Sequence, residues 1–170
     1  MDEESIDSTK RLPQDLFVFA TTLLPCPNID LFITRGRRLL HTWRDDEFYG
    51  KGWHIPGGCL ILKETLEYRI QKTAVYEVES EVIFDNEHFI TCEAIVAEYR
   101  VGIENQLERC YNISMLFNCQ LPDGFEPAIN TRDEPVRGDF RWFDHTPENL
   151  LEAHRILYGD IIDKYFEENR

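Results

Sequence analysis

Two adjacent glycines and a glutamate on the helical segment behind them are the residues best suited to chemistry in this chain. Gly57 and Gly58 follow Pro56, and this run ends the preceding strand-like stretch and frees the backbone to turn. Carboxylate and backbone carbonyl oxygens are the ligands that Mg²⁺ and Mn²⁺ prefer. Gly57 and Glu77 are therefore candidate ligands of a hard divalent cation. A helix that carries one exposed glutamate explains the same residues without a metal.

The segment behind the glycines has the periodicity of an amphipathic helix. Apolar residues recur at every fourth position, at Leu66, Ile70, Ala74 and Val78. Residues three and four apart share a helix face, so Thr73, Tyr76 and Glu77 should lie together beside this stripe. The sequence thus predicts a strand, a glycine loop and a helix in that order.

The stretch Trp53–Glu79 resembles the Nudix box. That family pattern is glycine, five residues, glutamate, seven residues, Arg-Glu, an apolar residue, any residue, Glu-Glu, any residue and glycine. This chain matches it at Gly58, Glu64 and Glu77. At the positions of the pattern's arginine, of two of its glutamates and of its closing glycine, the chain has Lys72, Thr73, Tyr76 and Glu79 instead. The box is therefore degenerate.

The resemblance is greater to the GDP-mannose mannosyl hydrolase-like subgroup, which also keeps only the final box glutamate. The shared features are Leu24-Pro25 before a predicted hairpin, Thr65-Leu66-Glu67 in the box, and Asp139-Phe140-Arg141-Trp142 after it. This resemblance implies an α/β (α+β) fold, the Nudix-type α/β/α sandwich with a mixed β-sheet. We expect a single such domain over residues 11–170, after an acidic tail at 1–10 that we expect to be disordered.

The resemblance also implies an activity. Nudix hydrolases cleave a nucleoside diphosphate linked to another moiety, and here a sugar nucleotide is favoured, with Mg²⁺ or Mn²⁺ as cofactor. Gly57 and Glu77 match two metal ligands of the subgroup. Lys72 is expected to replace the box arginine by pairing with Glu64, whereas Glu67 and Arg69 are expected on the exposed face.

The subgroup's third ligand and its histidine base have no counterparts in this chain. Those positions fall at Val136 and Arg137, and neither side chain can play its role. A small shift of the loop would bring Glu134 to the metal and Asp133 to the water, giving Glu77, Asp133 and Glu134 as the catalytic candidates. Otherwise both loop acids are simply solvated.

The loop over residues 44–52 contains charges, aromatic rings and glycines, a composition found where loops bind ligands. Arg44 could bind a phosphate through two hydrogen bonds, and Phe48 or Tyr49 could stack on a base. A solvated loop in which Arg44 pairs with a nearby aspartate explains the same sequence. Cys59 replaces an arginine that contacts phosphate in the subgroup.

A net charge of −14 argues against nucleic acid as a partner, because phosphate contacts need clustered basic residues. No apolar run approaches the length of a membrane span, and the acidic start does not resemble a secretory signal. We therefore expect a cytoplasmic protein with a small nucleoside diphosphate-linked partner. The resemblance adds the expectation of a homodimer. The alternative is a Nudix-fold protein that binds or senses a nucleotide without turning it over.

The remaining elements follow from periodicity and turn residues. We expect a helix from Pro13, a hairpin over 28–43, antiparallel strands at 89–101 and 109–121, and a strand at 138–144. Thr146 should cap a C-terminal helix with Pro147 in its first turn, and Gly159 should break that helix.

Overall fold

The structure is a computed structural model that describes residues 12–46, 49–84, 89–95, 112–127 and 133–169. These residues form helices α1 (Gln14–Leu23), α2 (Leu66–Val78) and α3 (Glu152–Glu168). They also form strands β1 (Cys26–Arg35), β2 (Arg38–Asp46), β3 (Gly50–His54), β4 (Gly57–Cys59), β5 (Phe89–Ile95), β6 (Asn112–Cys119) and β7 (Phe140–Phe143). The tail predicted at 1–10 lies outside the described residues.

Strand β1 lies in the middle of a mixed sheet and pairs with three of the other described strands. Near its C-terminal end it pairs antiparallel with β2, with Thr34 opposite Leu39, which confirms the predicted hairpin. Closer to its start it pairs antiparallel with β4, where Asp30 lies opposite Gly57. Its other edge pairs in parallel with β6 over most of its length. Strand β2 continues the sheet by pairing with β3 and β7, and β6 pairs antiparallel with β5, as predicted.

The alternation of side chains along β1 divides the core into two layers. Residues on one face belong to an apolar cluster with the buried side of α2: Ile29, Leu31, Ile33, Ile70, Ala74 and Val78. Phe32 on the opposite face packs in a second cluster with Tyr158 and Ile162 of α3. Helices therefore cover both faces of a mixed sheet, which confirms the α/β/α sandwich. No helix among the described residues is long and apolar enough to cross a membrane.

Helix α2 has a defined start and a strained end. The Thr65 side chain accepts a hydrogen bond of 3.1 Å from the backbone N–H of Tyr68, which is the usual N-cap arrangement. At the other end Glu79 adopts a left-handed conformation with φ of 59°. Glycine adopts this conformation at little cost, so the structure gives a physical reason for the glycine of the Nudix pattern at this position.

Helix α3 begins at Glu152, and its predicted start at Thr146 is wrong. The backbone N–H of Trp53 donates to the carbonyl of Asn149 at 2.8 Å, and that of Leu151 donates to the carbonyl of Trp53 at 2.8 Å. These bonds attach residues 149–151 to the end of β3, and residues 147–150 form a turn in which the N–H of Leu150 donates to the carbonyl of Pro147 at 3.1 Å. The helix therefore starts later than its capping residues suggest.

The predicted break of this helix at Gly159 is also wrong, because α3 continues to Glu168. Tyr158 and Ile162 on either side of the glycine are fully buried against the sheet. The cost of a glycine inside a helix is about 1 kcal/mol, which is less than the burial of either neighbour contributes. Packing therefore overrides the local preference.

Candidate functional site

The glycine loop lies directly against β1 and α2. A Cβ on Gly57 would come within 1.9 Å of Asp30 Oδ1, and a Cβ on Gly58 would come within 3.0 Å of Thr73 Oγ1. The carbonyl of Pro56 is held by the backbone N–H of Leu31 at 2.8 Å. Two glycines are therefore needed for the loop to lie between the strand and the helix.

A buried ion pair fixes the start of α2 beneath this loop. Glu64 accepts a hydrogen bond of 2.7 Å from Arg69 Nε, another from Arg69 Nη2, and one of 2.9 Å from the N–H of Ile61. Lys72 Nζ lies 3.1 Å from the other carboxylate oxygen, which confirms the predicted pairing of Lys72 with Glu64. Burial raises the pKa of Glu64, but these donors outweigh it and lower that pKa below its ordinary value.

The expected exposure of Arg69 is wrong. Its relative exposure is 6%, and a Cβ on Gly58 would lie 3.7 Å from its guanidinium. Helical periodicity assigned it to the outer face because the pattern does not show that the glycine loop covers this side of the helix. Arg69 thus provides a buried guanidinium to Glu64, one helical turn before Lys72, which stands at the arginine position of the Nudix pattern.

Glu77 lies at the edge of the buried face of α2, beside a polar pair on the sheet. Its Oε2 is 3.4 Å from the hydroxyl oxygen of Thr42 on β2. The same hydroxyl oxygen is 3.0 Å from Nε2 of His54, which is the cross-strand partner of Thr42 on β3. The other ring nitrogen of His54, Nδ1, lies 2.8 Å from the carbonyl oxygen of Ile55.

Asp30 is a second buried carboxyl group at the glycine loop. It accepts hydrogen bonds from Tyr158 Oη at 2.6 Å and from Asn28 Nδ2 at 2.7 Å. Burial raises its pKa from 3.8 to about 6, although these hydrogen bonds, that of Ser114 and the charge of Arg44 oppose the change. Asp30 thus links the strand beneath Gly57 to helix α3.

Three buried histidines surround this region, all in the neutral form near pH 7. Burial lowers the pKa of His41 to about 4 and that of His154 to about 3. Burial also lowers the pKa of His54 well below its ordinary value, with the charge of Arg44 as the next cause. His154 Nδ1 accepts a hydrogen bond of 3.2 Å from the N–H of Ile55. Ile55, two residues before Gly57, is therefore contacted at its N–H by His154 and at its carbonyl by His54.

The structure brings together two of the three residues predicted to bind substrate. The guanidinium of Arg44 lies 4.8 Å from the ring centre of Tyr49, and its Nε is 3.2 Å from Asp46 Oδ2. Arg44 thus pairs with Asp46 and at the same time stacks on the ring of Tyr49. Phe48 lies outside the described residues.

Asp133 and Glu134 are both exposed on the loop before β7. Within the part of the chain that the structure describes, no three side chains of His, Cys, Asp or Glu are grouped so as to hold a metal ion. The roles of Asp133 and Glu134 as base and third ligand, and those of Gly57 and Glu77, stay predictions.

The atoms around Glu77 nevertheless fit a hard divalent cation. Thr73 Oγ1 is buried and has no hydrogen-bond partner among the residues described, and it faces Gly58 one helical turn before Glu77. Thr42 Oγ1 lies 3.4 Å from Glu77 Oε2. Hydroxyl, carbonyl and carboxylate oxygens are the donors that Mg²⁺ and Mn²⁺ accept. These residues suit either ion.

Sequence reasoning missed Asp30, Thr42 and His154 as members of this region. The burial of Asp30 could have been predicted, because Asp30 and Phe32 lie on the same face of β1 and an apolar Phe32 indicates that this face is also buried. Thr42 and His154 carry no such signal, since their importance depends on which distant residues they contact.

Solved structures with a similar fold include Nudix hydrolases and pyrophosphatases. A UDP-X diphosphatase matches at 13% identity with a TM-score of 0.57, over 94% of this chain and 72% of that one. A Nudix hydrolase from Nitrosomonas europaea matches at 20% identity with a TM-score of 0.58, over 85% of this chain and 71% of that one. Neither a protein-family model nor a curated protein matches the sequence.

A third similar structure contains a metal ion. It is a bifunctional NMN adenylyltransferase/ADP ribose pyrophosphatase from Francisella tularensis, complexed with AMP and a manganese ion. It matches at 17% identity with a TM-score of 0.53, over 92% of this chain and 48% of that one. At these identities the comparisons establish the fold, and the chain has the Nudix fold.

Proposed function

We propose that this protein is a divalent-metal-dependent hydrolase that cleaves a nucleoside diphosphate linked to another moiety, with a sugar nucleotide as the favoured substrate. The observation that carries the proposal is the position of Glu77. Its carboxylate lies 3.4 Å from the hydroxyl oxygen of Thr42, and the helix that carries it packs Thr73 against Gly58 of the glycine loop. Because the chain is acidic overall, a diphosphate needs a local basic or metal-bearing pocket.

Glu77 and the carbonyl of Gly57 would hold Mg²⁺ or Mn²⁺, with Glu134 as a third ligand. The metal ion, when bound, neutralises the charge of the diphosphate. Asp133 would act as the base that takes a proton from the attacking water. The buried pair of Glu64 and Arg69 fixes the start of the helix that carries Glu77.

Arg44 and Tyr49 would bind the nucleoside diphosphate. The Arg44 guanidinium lies 4.8 Å from the centre of the Tyr49 ring, and Tyr49 would stack on the base. Asp46 contacts Arg44 through Nε, and the terminal nitrogens of the guanidinium would bind a phosphate. Phe48 is a second candidate for stacking.

A nucleotide-binding protein without turnover is the alternative. Thr73 and Tyr76 stand where the Nudix pattern has carboxylates, and Tyr76 is 64% exposed. In this case Arg44 and Tyr49 would bind the nucleotide, while the site around Glu77 would not activate water.

A substrate panel separates the two functions. Nucleoside diphosphate sugars and ADP-ribose are incubated with the protein and Mg²⁺ or Mn²⁺, and products are resolved by chromatography. We expect turnover in wild type and in Glu67→Gln, whose glutamate is exposed on the same helix, and none in Glu77→Gln. Nucleotide binding without turnover by any member of the panel would support the alternative. Sedimentation velocity tests the expected homodimer separately.

A further inference from the structure

Thr42 is a fully buried hydroxyl residue between two groups that compete for its single proton. Its Oγ1 lies 3.0 Å from His54 Nε2 and 3.4 Å from Glu77 Oε2. A threonine hydroxyl can donate one hydrogen bond and accept two. If the hydroxyl donates its proton to one neighbour, it presents only oxygen lone pairs to the other.

The tautomer of His54 follows from the contact that its other ring nitrogen, Nδ1, makes. Nδ1 lies 2.8 Å from the carbonyl oxygen of Ile55, and because a carbonyl can only accept, Nδ1 must carry a proton. The neutral ring carries a single proton, so in this tautomer Nε2 bears a lone pair. The proton of Thr42 is therefore directed to His54 Nε2.

The contact between Thr42 and Glu77 is consequently a contact between two acceptors. Its length of 3.4 Å also exceeds the usual range of about 2.5–3.0 Å for an O–H···O bond. Lone pairs of a hydroxyl and of a carboxylate that face each other without a proton repel, and a cation bound by both oxygens removes the repulsion.

We propose that Thr42 Oγ1 is a further ligand of the divalent cation, beside Glu77, and that His54 orients it by accepting the hydrogen bond of its hydroxyl. This inference rests on the proposed metal site. Two ligands at right angles on Mg²⁺ lie about 3 Å apart, because each bond is about 2.1 Å long. The observed separation of 3.4 Å is close to that spacing. A neutral oxygen from strand β2 thus compensates in part for the carboxylates that α2 lacks.

The test measures Mn²⁺ affinity directly, through the loss of the free-ion signal in electron paramagnetic resonance. Wild type, Thr42→Ser, Thr42→Val and Glu77→Gln are compared, with thermal unfolding to confirm that each is folded. We expect affinity close to wild type in Thr42→Ser, which retains the hydroxyl, and a loss of about 10- to 100-fold in Thr42→Val. Glu77→Gln should lose most of the affinity.

A second variant distinguishes a ligand from a residue that merely supports Glu77. Thr42→Cys places sulfur at the same position and should weaken Mn²⁺ binding while Cd²⁺ binding strengthens, because Cd²⁺ is softer and prefers sulfur. A sulfur-to-Cd²⁺ charge-transfer band stronger than that of wild type, which has five cysteines of its own, would show the bond itself. This readout does not depend on turnover and remains usable if Thr42→Val unfolds.

The outcomes separate the two proposals. Equal Mn²⁺ affinity in wild type and Thr42→Val, with loss in Glu77→Gln, overturns the role of Thr42 and leaves the metal site intact. Weaker Mn²⁺ binding in Thr42→Cys without a gain for Cd²⁺ also overturns direct ligation. If wild type binds no Mn²⁺ in a Glu77-dependent manner, the proposed function and this inference both fail.

Discussion

The carboxylate of Asp30 lies against the α-carbon of Gly57, so closely that a Cβ there would stand 1.9 Å from Oδ1. The two residues face each other across the pairing of β1 with β4. Asp30 cannot easily move away, because Tyr158 and Asn28 hold it by hydrogen bonds. The residue whose carbonyl we propose as a metal ligand is therefore kept in place by a carboxyl group on the neighbouring strand.

Gly57→Ala should destabilise the fold. The new methyl group requires displacement of Asp30 or of the loop, and overpacking of this kind costs about 1–3 kcal/mol. Urea unfolding measures the change. The double mutant with Asp30→Ala should lose less stability relative to Asp30→Ala than Gly57→Ala loses relative to wild type. Equal losses in the two backgrounds would contradict the contact.

Asp30 should make stability fall as the pH rises from about 4 to 6. Its pKa is about 6 in the folded chain and 3.8 in the reference state, so the folded chain holds a proton that the unfolded chain has released. The contribution of Asp30 is therefore fully present below the lower pKa and is lost through the upper one. Across this range wild type should lose up to about 3 kcal/mol relative to Asp30→Asn. Parallel unfolding curves of the two proteins at every pH would refute this.

Glu79→Gly should stabilise the protein by roughly 0.5–1 kcal/mol. A left-handed conformation costs a non-glycine residue about 1–2 kcal/mol, and the extra flexibility of glycine in the unfolded chain offsets part of the gain. Glu79 is exposed at the end of α2, with φ of 59°, so little packing is lost. Glu79→Ala serves as the control and should not stabilise. A melting temperature for Glu79→Gly at or below that of Glu79→Ala would argue against the strain.

Gly159→Ala should stabilise helix α3 by about 1 kcal/mol, the difference in helix propensity between the two residues. A Cβ at this position would meet its nearest neighbour, Arg155 Cγ, at 3.9 Å, which is ordinary van der Waals contact. Chemical unfolding with and without the substitution provides the measurement. Destabilisation would mean that the helix is not continuous at Gly159.

Arg44→Lys should raise KM for a nucleoside diphosphate substrate roughly tenfold with a smaller effect on kcat, because lysine keeps the charge but cannot bind a phosphate bidentately. Steady-state kinetics give both constants. Mn²⁺ affinity should not change, since the lost group is assigned to the substrate. An unaltered KM would remove Arg44 from the binding site, and Tyr49→Phe, which retains the ring, is the matched control.

The parts of the fold that local patterns encode were predictable. The hairpin of β1 and β2 follows from alternation around Arg35-Gly36-Arg37, and α2 follows from apolar residues at every fourth position. The same reasoning failed at Thr146, because the segment that follows it forms a turn and is hydrogen-bonded to Trp53, which is distant along the chain.

The candidate site was predictable only for residues within the glycine loop and α2. Glu64 and Lys72 pair as expected, but Arg69, assigned to the surface, makes the buried contact. Thr42 was missed because its chemistry depends on His54 and Glu77, which lie 12 and 35 positions away along the chain. Spacing within a helix is readable from sequence, whereas contacts between a helix and two strands are not.

The two faces of strand β1 pack in different layers, and this limits which changes of length the strand can undergo in evolution. Ile29 and Leu31 serve one layer while Asp30 serves the other, so the deletion of one residue inside the strand would exchange the two sets. An acid would then enter the apolar layer beneath α2, and an aliphatic side chain would replace the partner of Tyr158. Insertions and deletions should accordingly be purged from this strand and tolerated at the neighbouring turn around Gly36.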